Sequence, residues 1–113
     1  MNRIKRIIND QQKTILIIDD EPEIRNLMEE ILSEEGYKTL SAESAQKAEH
    51  IISTHQVDLV YLDIWMPGTD GVDLLKKLTK TNNLKAPIIM ISGHATIKTA
   101  VETTRLGAFD FIE

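Results

Sequence analysis

Residues 59–71 read LVYLDIWMPGTDG, and this stretch decides the fold of the chain. An apolar run of strand length ends on the carboxylate of Asp63, and the chain then breaks at Met66-Pro67-Gly68. Removing a charged group from water at such a place is costly unless something pairs with it or uses it. The stretch therefore predicts a buried strand whose last residue has a chemical role.

A repeated unit of strand, polar turn and amphipathic helix surrounds this stretch. Apolar runs predict five strands, at 15–18, 37–42, 57–62, 88–91 and 109–112. Pro22, Ser44 and Thr96 begin stripes of helical spacing between the strands, and Gly36 and Gly107 end such stripes. Alternating strands and helices favour right-handed crossovers, and hence an α/β fold with a doubly wound parallel sheet.

Composition excludes several classes of function. The net charge of −5 argues against nucleic acid as the main ligand, because neutralising phosphates requires clustered Lys and Arg. The chain has no cysteine, which excludes disulfides and thiolate metal sites and suits a reducing compartment. No apolar run is long enough to span a bilayer. We therefore predict a cytoplasmic protein that does not contact a membrane.

The first thirteen residues differ from the rest. Basic residues gather there, namely Arg3, Lys5, Arg6 and Lys13. Ile4, Ile7 and Ile8 lie among them at helical spacing. We treat residues 1–13 as an N-terminal basic extension, either a frayed tail or a short amphipathic helix.

Four polar side chains follow predicted strands. Asp19, Asp20, Asp63 and Ser92 all lie at carboxyl ends, and such ends meet at one edge of a doubly wound sheet. Crowded carboxylates repel one another unless a cation neutralises them, and oxygen ligands favour Mg²⁺ or Mn²⁺. A carboxylate beside such a cation can accept a phosphoryl group, which gives an aspartyl-phosphate.

Each of these residues also has an ordinary interpretation. Asp19-Asp20 can cap a helix, Asp63 can be solvated by its loop, and Ser92 can begin a turn. Their convergence at one edge favours a site over these separate explanations.

The chain also resembles a family. The sequences ILIIDDE at 15–21, VYLDIWMPG at 60–68, ISGH at 91–94 and GAFDF at 107–111 resemble the receiver domain of bacterial two-component response regulators. The last two of these motifs are most similar to those of response regulators of the nitrogen-regulation type. The resemblance covers residues 14–113 and implies a five-stranded sheet in the order 2-1-3-4-5, the flavodoxin-like receiver fold.

The resemblance implies roles for individual residues. Asp63 is the expected phosphoacceptor, and Asp20, Asp63 and the Trp65 carbonyl are the expected direct Mg²⁺ ligands. Asp19 acts through water. Ser92 and Phe111 are the expected hydroxyl and aromatic switch residues.

The resemblance also implies partners. A sensor histidine kinase donates the phosphoryl group, and the domain catalyses only its own phosphorylation and dephosphorylation. Transcription is the expected output, with DNA bound only through an output domain outside these residues.

Two family features are missing from the 113 residues. They are a lysine expected immediately after Glu113 and a last helix that packs beside the first helix. We therefore expect the stretch to belong to a longer polypeptide, its first helix to be partly uncovered, and the isolated domain to self-associate, for example as a homodimer.

Three other functions fit less well. A phosphatase of the haloacid-dehalogenase kind needs an acid where Trp65 stands, and a flavin binder needs a phosphate loop where Asp19, Asp20 and Glu21 would repel phosphate. The main alternative is a receiver-like interaction module that works without phosphorylation.

Overall fold

The computed structural model describes residues 12–66, 69–81, 84–91 and 104–112. Its strands are β1 (Thr14–Ile18), β2 (Lys38–Ala42), β3 (Leu59–Asp63), β4 (Trp65–Met66), β5 (Thr69–Asp70), β6 (Ile88–Ile91) and β7 (Asp110–Ile112). Its helices are α1 (Pro22–Glu34), α2 (Ala45–Thr54) and α3 (Gly71–Lys76), the last continued by a π-helical turn at Lys77–Thr81.

Five of these strands form one parallel sheet in the order β2-β1-β3-β6-β7. The short strands β4 and β5 form a separate pair. When only the five strands of the parallel sheet are numbered along the chain, their order is the predicted order 2-1-3-4-5. The doubly wound fold is therefore confirmed, and it places the carboxyl ends of β1, β3 and β6 side by side.

One face of the sheet is completely covered. Leu16, Ile18, Val60, Leu62 and Met90 are almost inaccessible to solvent. They belong to one hydrophobic cluster with apolar side chains of α2, α3 and the π-helical turn after α3, which are Ala48, Ile51, Leu74, Leu75 and Leu78. Full burial of a large apolar side chain contributes about 1.5–3 kcal/mol, so the many buried side chains on this face contribute strongly to the stability of the domain.

The opposite face is only partly covered. Ile15 and Ile17 are buried there, whereas Tyr61 and Ile89, which continue the same rows across the sheet, are half-buried. Helix α1 lies on this side and has no fully buried residue. This agrees with the expectation that the first helix is left partly uncovered.

The predicted helix signals hold where the structure describes them. The Ser44 hydroxyl accepts a hydrogen bond from the Lys47 N–H at 3.2 Å and caps α2. Gly36 and Gly107 have φ angles of 94° and 110°, which favour glycine. The N-cap of α1 is Glu21 and has no side-chain cap bond, so neither Asp19 nor Asp20 is the N-cap residue.

Some predicted features differ or lie outside the described residues. The antiparallel pair β4–β5 was not predicted, because two-residue strands carry no periodic signal. Residues 1–11 of the basic extension and most of the predicted helix from Thr96 lie outside the described residues. Among the residues described, no helix has the length and apolar character needed to cross a membrane.

Candidate functional site

An acidic cluster follows β1 directly. One carboxylate oxygen from each of Asp19, Asp20 and Glu21 lies within 4.8 Å of the others. The Asp19 N–H donates to the Ala42 carbonyl at 3.1 Å, which extends the β1–β2 pairing by one residue. Asp19 Oδ1 accepts a hydrogen bond from the Glu21 N–H at 2.9 Å, and this bond holds the turn that joins β1 to α1.

The charge of Asp19 is poorly compensated. Burial raises the pKa of its carboxyl group, and the nearby Asp20 raises it further. The hydrogen bond from the Glu21 N–H and the charge of Arg25 lower the pKa, but the net shift is upward from 3.8. Arg25 Nη1 donates to the Asp19 carbonyl oxygen at 2.6 Å, so the guanidinium is anchored to the backbone at this turn.

The adjacent strand brings Asp63 to the same edge. Ile18 and Leu62 are paired in register between β1 and β3, so Asp19 and Asp63 are the next residues of neighbouring strands. The side chain of Asp63 is half-buried. On its other side Asp63 is in register with Ile91, the last residue of β6. The predicted juxtaposition of the β1 acids with Asp63 is therefore present at the level of the backbone.

The remaining predicted site residues are Ser92, Trp65 and Phe111. Ser92 follows Ile91 in the sequence and lies outside the described residues. The backbone of Trp65 begins β4 and pairs with Asp70 of β5. The backbone of Phe111 lies in β7, in register with Met90 of β6. Asp19 and Asp20 are thus brought together with Glu21, and Asp63 stands on the next strand.

Sequence reasoning missed Glu21, Arg25 and Gly71. Glu21 and Arg25 could have been suspected from their position directly after Asp19-Asp20. Gly71 could not, because its role depends on how closely α3 approaches the end of β3.

Gly71 allows α3 to begin directly against the loop that follows Asp63. Its N–H donates to the Ile64 carbonyl at 3.2 Å, while the Ile64 N–H donates to the Ile91 carbonyl at 3.2 Å. A Cβ atom at Gly71 would lie 2.6 Å from Ile64 Cα and 2.8 Å from the Asp63 carbonyl oxygen. These contacts involve backbone atoms, so only glycine fits without moving the end of β3.

The donor set indicates which ion this edge can hold. The clustered groups are carboxylates, whose hard oxygen atoms match Mg²⁺ or Mn²⁺ and not a soft metal. The raised pKa of Asp19 reflects buried negative charge that a divalent cation would offset. The arrangement can therefore hold a hard cation beside a carboxylate at the end of a central strand.

Comparison with known proteins agrees with this geometry. The response regulator receiver domain family matches residues 15–113. Nitrogen assimilation regulatory protein NtrX of Azorhizobium caulinodans is 45% identical over 101 residues, which cover 88% of this chain and 22% of that protein. The chain thus spans about a fifth of the length of this relative.

Solved structures show the same likeness. NtrX from Brucella abortus matches with a TM-score of 0.83 at 45% identity, over 91% of this chain and 23% of that chain. A CheY-like receiver domain protein from Methanospirillum hungatei matches with a TM-score of 0.83 at 31% identity, over 90% of this chain and 81% of that chain. Fold, acidic edge and sequence agree: the chain belongs to the family of response regulator receiver domains, and its relatives include regulators of the NtrX type.

Proposed function

We propose that this receiver domain accepts a phosphoryl group from a sensor histidine kinase on Asp63, in a Mg²⁺-dependent reaction, and thereby controls a regulatory output. The observation that carries the proposal is the register of β1 with β3, which makes Asp63 the neighbour of the acidic cluster. Receiver domains are signalling modules and not classical enzymes, so the reaction changes the domain itself.

The chemical step uses the ionised carboxylate of Asp63. One of its oxygen atoms attacks phosphorus, a new P–O bond forms, and the P–N bond to the kinase histidine breaks. The electron pair of that bond returns to the imidazole, and the product is an acyl phosphate. Because the Asp63 side chain is half-buried at the sheet edge, a donor can reach it from solvent.

The acidic cluster prepares the site for negative charge. Receiver domains bind Mg²⁺ at an acidic pocket, and this chain would hold the ion, or Mn²⁺, through Asp20, Asp63 and the Trp65 carbonyl, with Asp19 acting through water. When bound, the cation offsets the charge of the phosphoryl oxygens. Asp19 orients the turn through its bond to the Glu21 N–H, and Arg25 anchors the same turn.

Switching after phosphorylation is assigned to Ser92 and Phe111. Ser92 comes directly after Ile91, whose backbone pairs with Asp63, and this closeness in sequence supports the assignment of its hydroxyl as a ligand of a phosphoryl oxygen. The Phe111 backbone lies in the neighbouring strand β7. We propose that DNA contact belongs to an output domain outside these residues.

Self-association is also part of the proposal. It is supported by exposed apolar side chains on α1, namely Ile24, Leu27 and Ile31, which would attract a second copy when nothing else covers them.

Labelling with acetyl phosphate tests the phosphoacceptor. The wild-type domain should take one phosphoryl group with Mg²⁺ and none after chelation, as read by intact mass. Asp63→Asn should remove the label. Asp58→Asn is the matched control, because Asp58 precedes the same strand at its other end and accepts a hydrogen bond from the Thr14 N–H at 2.8 Å, which Asn retains. Label retained on Asp63→Asn would refute the assignment, and no label on wild type would favour the phosphorylation-independent module.

Titration with Mg²⁺ tests the metal ligands. Trp65 is the only tryptophan and lies two residues after Asp63, so its fluorescence can report binding. We expect Asp20→Asn to weaken Mg²⁺ binding more than Asp19→Asn, because Asp20 is proposed to bind the ion directly. Equal affinities for wild type and Asp20→Asn would show that Asp20 is not a ligand.

A further inference from the structure

Arg25 is the only basic residue between Thr14 and Tyr37, a stretch rich in Asp and Glu. It lies in the first half of α1, where its N–H donates to the Glu21 carbonyl at 3.1 Å. Side chains of a helix lean towards its amino end, so the guanidinium is carried back over the turn that precedes α1. There its Nη1 atom donates to the Asp19 carbonyl oxygen at 2.6 Å, a short bond of the charge-assisted kind.

This bond fixes the backbone between two acids. The Asp19 carbonyl belongs to the peptide group that joins Asp19 to Asp20. A peptide group is planar, so holding its oxygen atom also holds the direction in which the chain continues to Asp20. The next peptide group, between Asp20 and Glu21, is held as well, because the Glu21 N–H donates to Asp19 Oδ1 at 2.9 Å. Asp20 therefore lies between two anchored peptide groups, and Arg25 anchors the first of them.

The direction of the Asp20 carboxylate depends on this backbone. Asp20 is half-buried, and no described residue donates a hydrogen bond to its side chain. Asp19 differs, because its carboxylate is tied to the Glu21 N–H. Loss of the bond from Arg25 would thus release one of the two peptide groups that aim the proposed direct ligand of Mg²⁺.

The positive charge of Arg25 has the opposite effect on a bound cation. This charge extends beyond the turn: the pKa of Glu43 is lowered by its own backbone N–H and by Lys47, and to a smaller extent by Arg25. Like charges repel, so Arg25 would weaken Mg²⁺ binding if it acted through its charge alone. It would strengthen Mg²⁺ binding if it acted by holding the backbone. The two effects can therefore be separated by their sign.

We propose that Arg25 is a positioning residue for the Mg²⁺ site. By holding the peptide group between Asp19 and Asp20, it directs the Asp20 carboxylate towards the ion, and this effect outweighs the repulsion of its charge. The inference rests on the proposed function, because it takes Asp20 as a direct ligand of Mg²⁺. It assigns Arg25 no contact with the ion or with the phosphoryl group.

Calorimetric titration with MgCl₂ tests the sign of the effect. Arg25→Met keeps a long side chain that favours a helix, but removes the charge and all donors. It should weaken Mg²⁺ binding about tenfold, a typical loss when a group that orients a metal ligand is removed. Arg25→Lys keeps the charge and a donor on a shorter side chain, and its affinity should lie between those of wild type and Arg25→Met.

Lys47→Met is the matched control, because it also replaces one positive charge by methionine. Lys47 lies on α2, where it is exposed and pairs with Glu43 at 3.2 Å. Its removal should change the Mg²⁺ affinity by less than about twofold, because exposed charges are screened by salt. Melting curves in EDTA check that the variants are folded, which is expected because α1 has no fully buried residue.

A double variant tests whether Arg25 acts through Asp20. In the Asp20→Asn background, Arg25→Met should change the Mg²⁺ affinity by less than about twofold, because the ligand that Arg25 positions is already lost. Labelling of the single variant Arg25→Met by acetyl phosphate should recover when Mg²⁺ is raised, because the variant lowers the occupancy of the site and leaves Asp63 intact.

Two results would overturn this inference alone. One is Mg²⁺ binding by Arg25→Met that is as tight as in wild type or tighter, and the other is an undiminished effect of Arg25→Met in the Asp20→Asn background. A wild-type domain that binds no Mg²⁺ would overturn both the inference and the Mg²⁺-dependence of the proposed function.

Discussion

At the scale of single residues, the balance of charge around Asp19 disfavours the ionised form of its carboxyl group. Asp19 is 8% exposed, and the two groups that favour its charged form are the Glu21 N–H and Arg25. Arg25 directs a hydrogen bond to the Asp19 carbonyl and not to its carboxylate. Burial and the charge of Asp20 therefore prevail, and the carboxylate is held in the native state at a cost.

This cost predicts how stability depends on pH in the absence of metal. Because the native pKa of Asp19 lies above its unfolded value of 3.8, the native state binds this proton more tightly than the unfolded chain does. The penalty is absent below the unfolded pKa and reaches its full size above the native pKa. In EDTA at pH 7, Asp19→Asn should therefore melt a few degrees above wild type, with the difference fading as the pH falls through the native pKa towards 3.8.

The control is Glu30→Gln, which removes a charge from an exposed position on α1 and should leave the melting temperature nearly unchanged. Asn at position 19 keeps the oxygen that accepts the Glu21 N–H, so the comparison isolates charge from hydrogen bonding. A wild-type domain as stable as Asp19→Asn at pH 7 would mean that the acidic turn carries no electrostatic strain.

At the scale of elements, the close packing of α3 against β3 positions Asp63. Gly71 begins the helix and donates its N–H to the Ile64 carbonyl, so the first turn of α3 is joined to the residue after Asp63. The chain at Ile64 is also bonded to Ile91 of β6. The residue that follows the proposed phosphoacceptor is thus held by two elements, and the glycine makes this arrangement possible.

Gly71→Ala tests this packing. Alanine favours a helix interior over glycine by about 1 kcal/mol, so helix propensity alone would predict stabilisation. The close contacts of a Cβ atom with backbone should instead destabilise the domain by about 1–3 kcal/mol, the usual range for overpacking. Acetyl phosphate labelling should fall as well, because Asp63 moves with Ile64.

The measurement is urea unfolding, with Lys76→Ala as control because Lys76 is exposed on the same helix. If Gly71→Ala were as stable as wild type and were labelled at the same rate, the approach of α3 would have no influence on Asp63.

The elements differ in how far sequence alone could predict them. Strands β1, β3 and β6 were predictable because each contains a continuous run of at least four apolar or aromatic residues, and the Ser44 cap was predictable from its residue type. The end of α3 could not be predicted from the sequence. The Thr79 hydroxyl donates to the Leu75 carbonyl at 2.8 Å and so competes with the helical backbone bonds, which gives a physical reason for the π-helical turn.

At the scale of the whole molecule, the two faces of the sheet have different roles. The face under α2 and α3 is closed and carries most of the hydrophobic core. The face under α1 is partly open, although Ile15 and Ile17 are buried on it. The candidate site at the carboxyl edge therefore lies between a closed apolar layer on one side and a partly open surface on the other.

The composition of the site was predictable at this scale because parallel strands bring their carboxyl ends together. Asp19, Asp20 and Asp63 could each be placed at a strand end from the apolar run that precedes it. The inclusion of Glu21 and the contact of Arg25 with the Asp19 carbonyl depend on the path of one turn, and periodicity contains no information about such a path.

The most direct test of the central claim is to locate the phosphoryl group chemically. Borohydride reduces an acyl phosphate to an alcohol, so a phosphorylated aspartate becomes homoserine, which mass spectrometry of peptides can assign to one position. After treatment with acetyl phosphate and Mg²⁺, we predict homoserine at position 63 and at no other aspartate. Homoserine at Asp19 or Asp20, or none at position 63 in protein whose mass shows one phosphoryl group, would contradict the account.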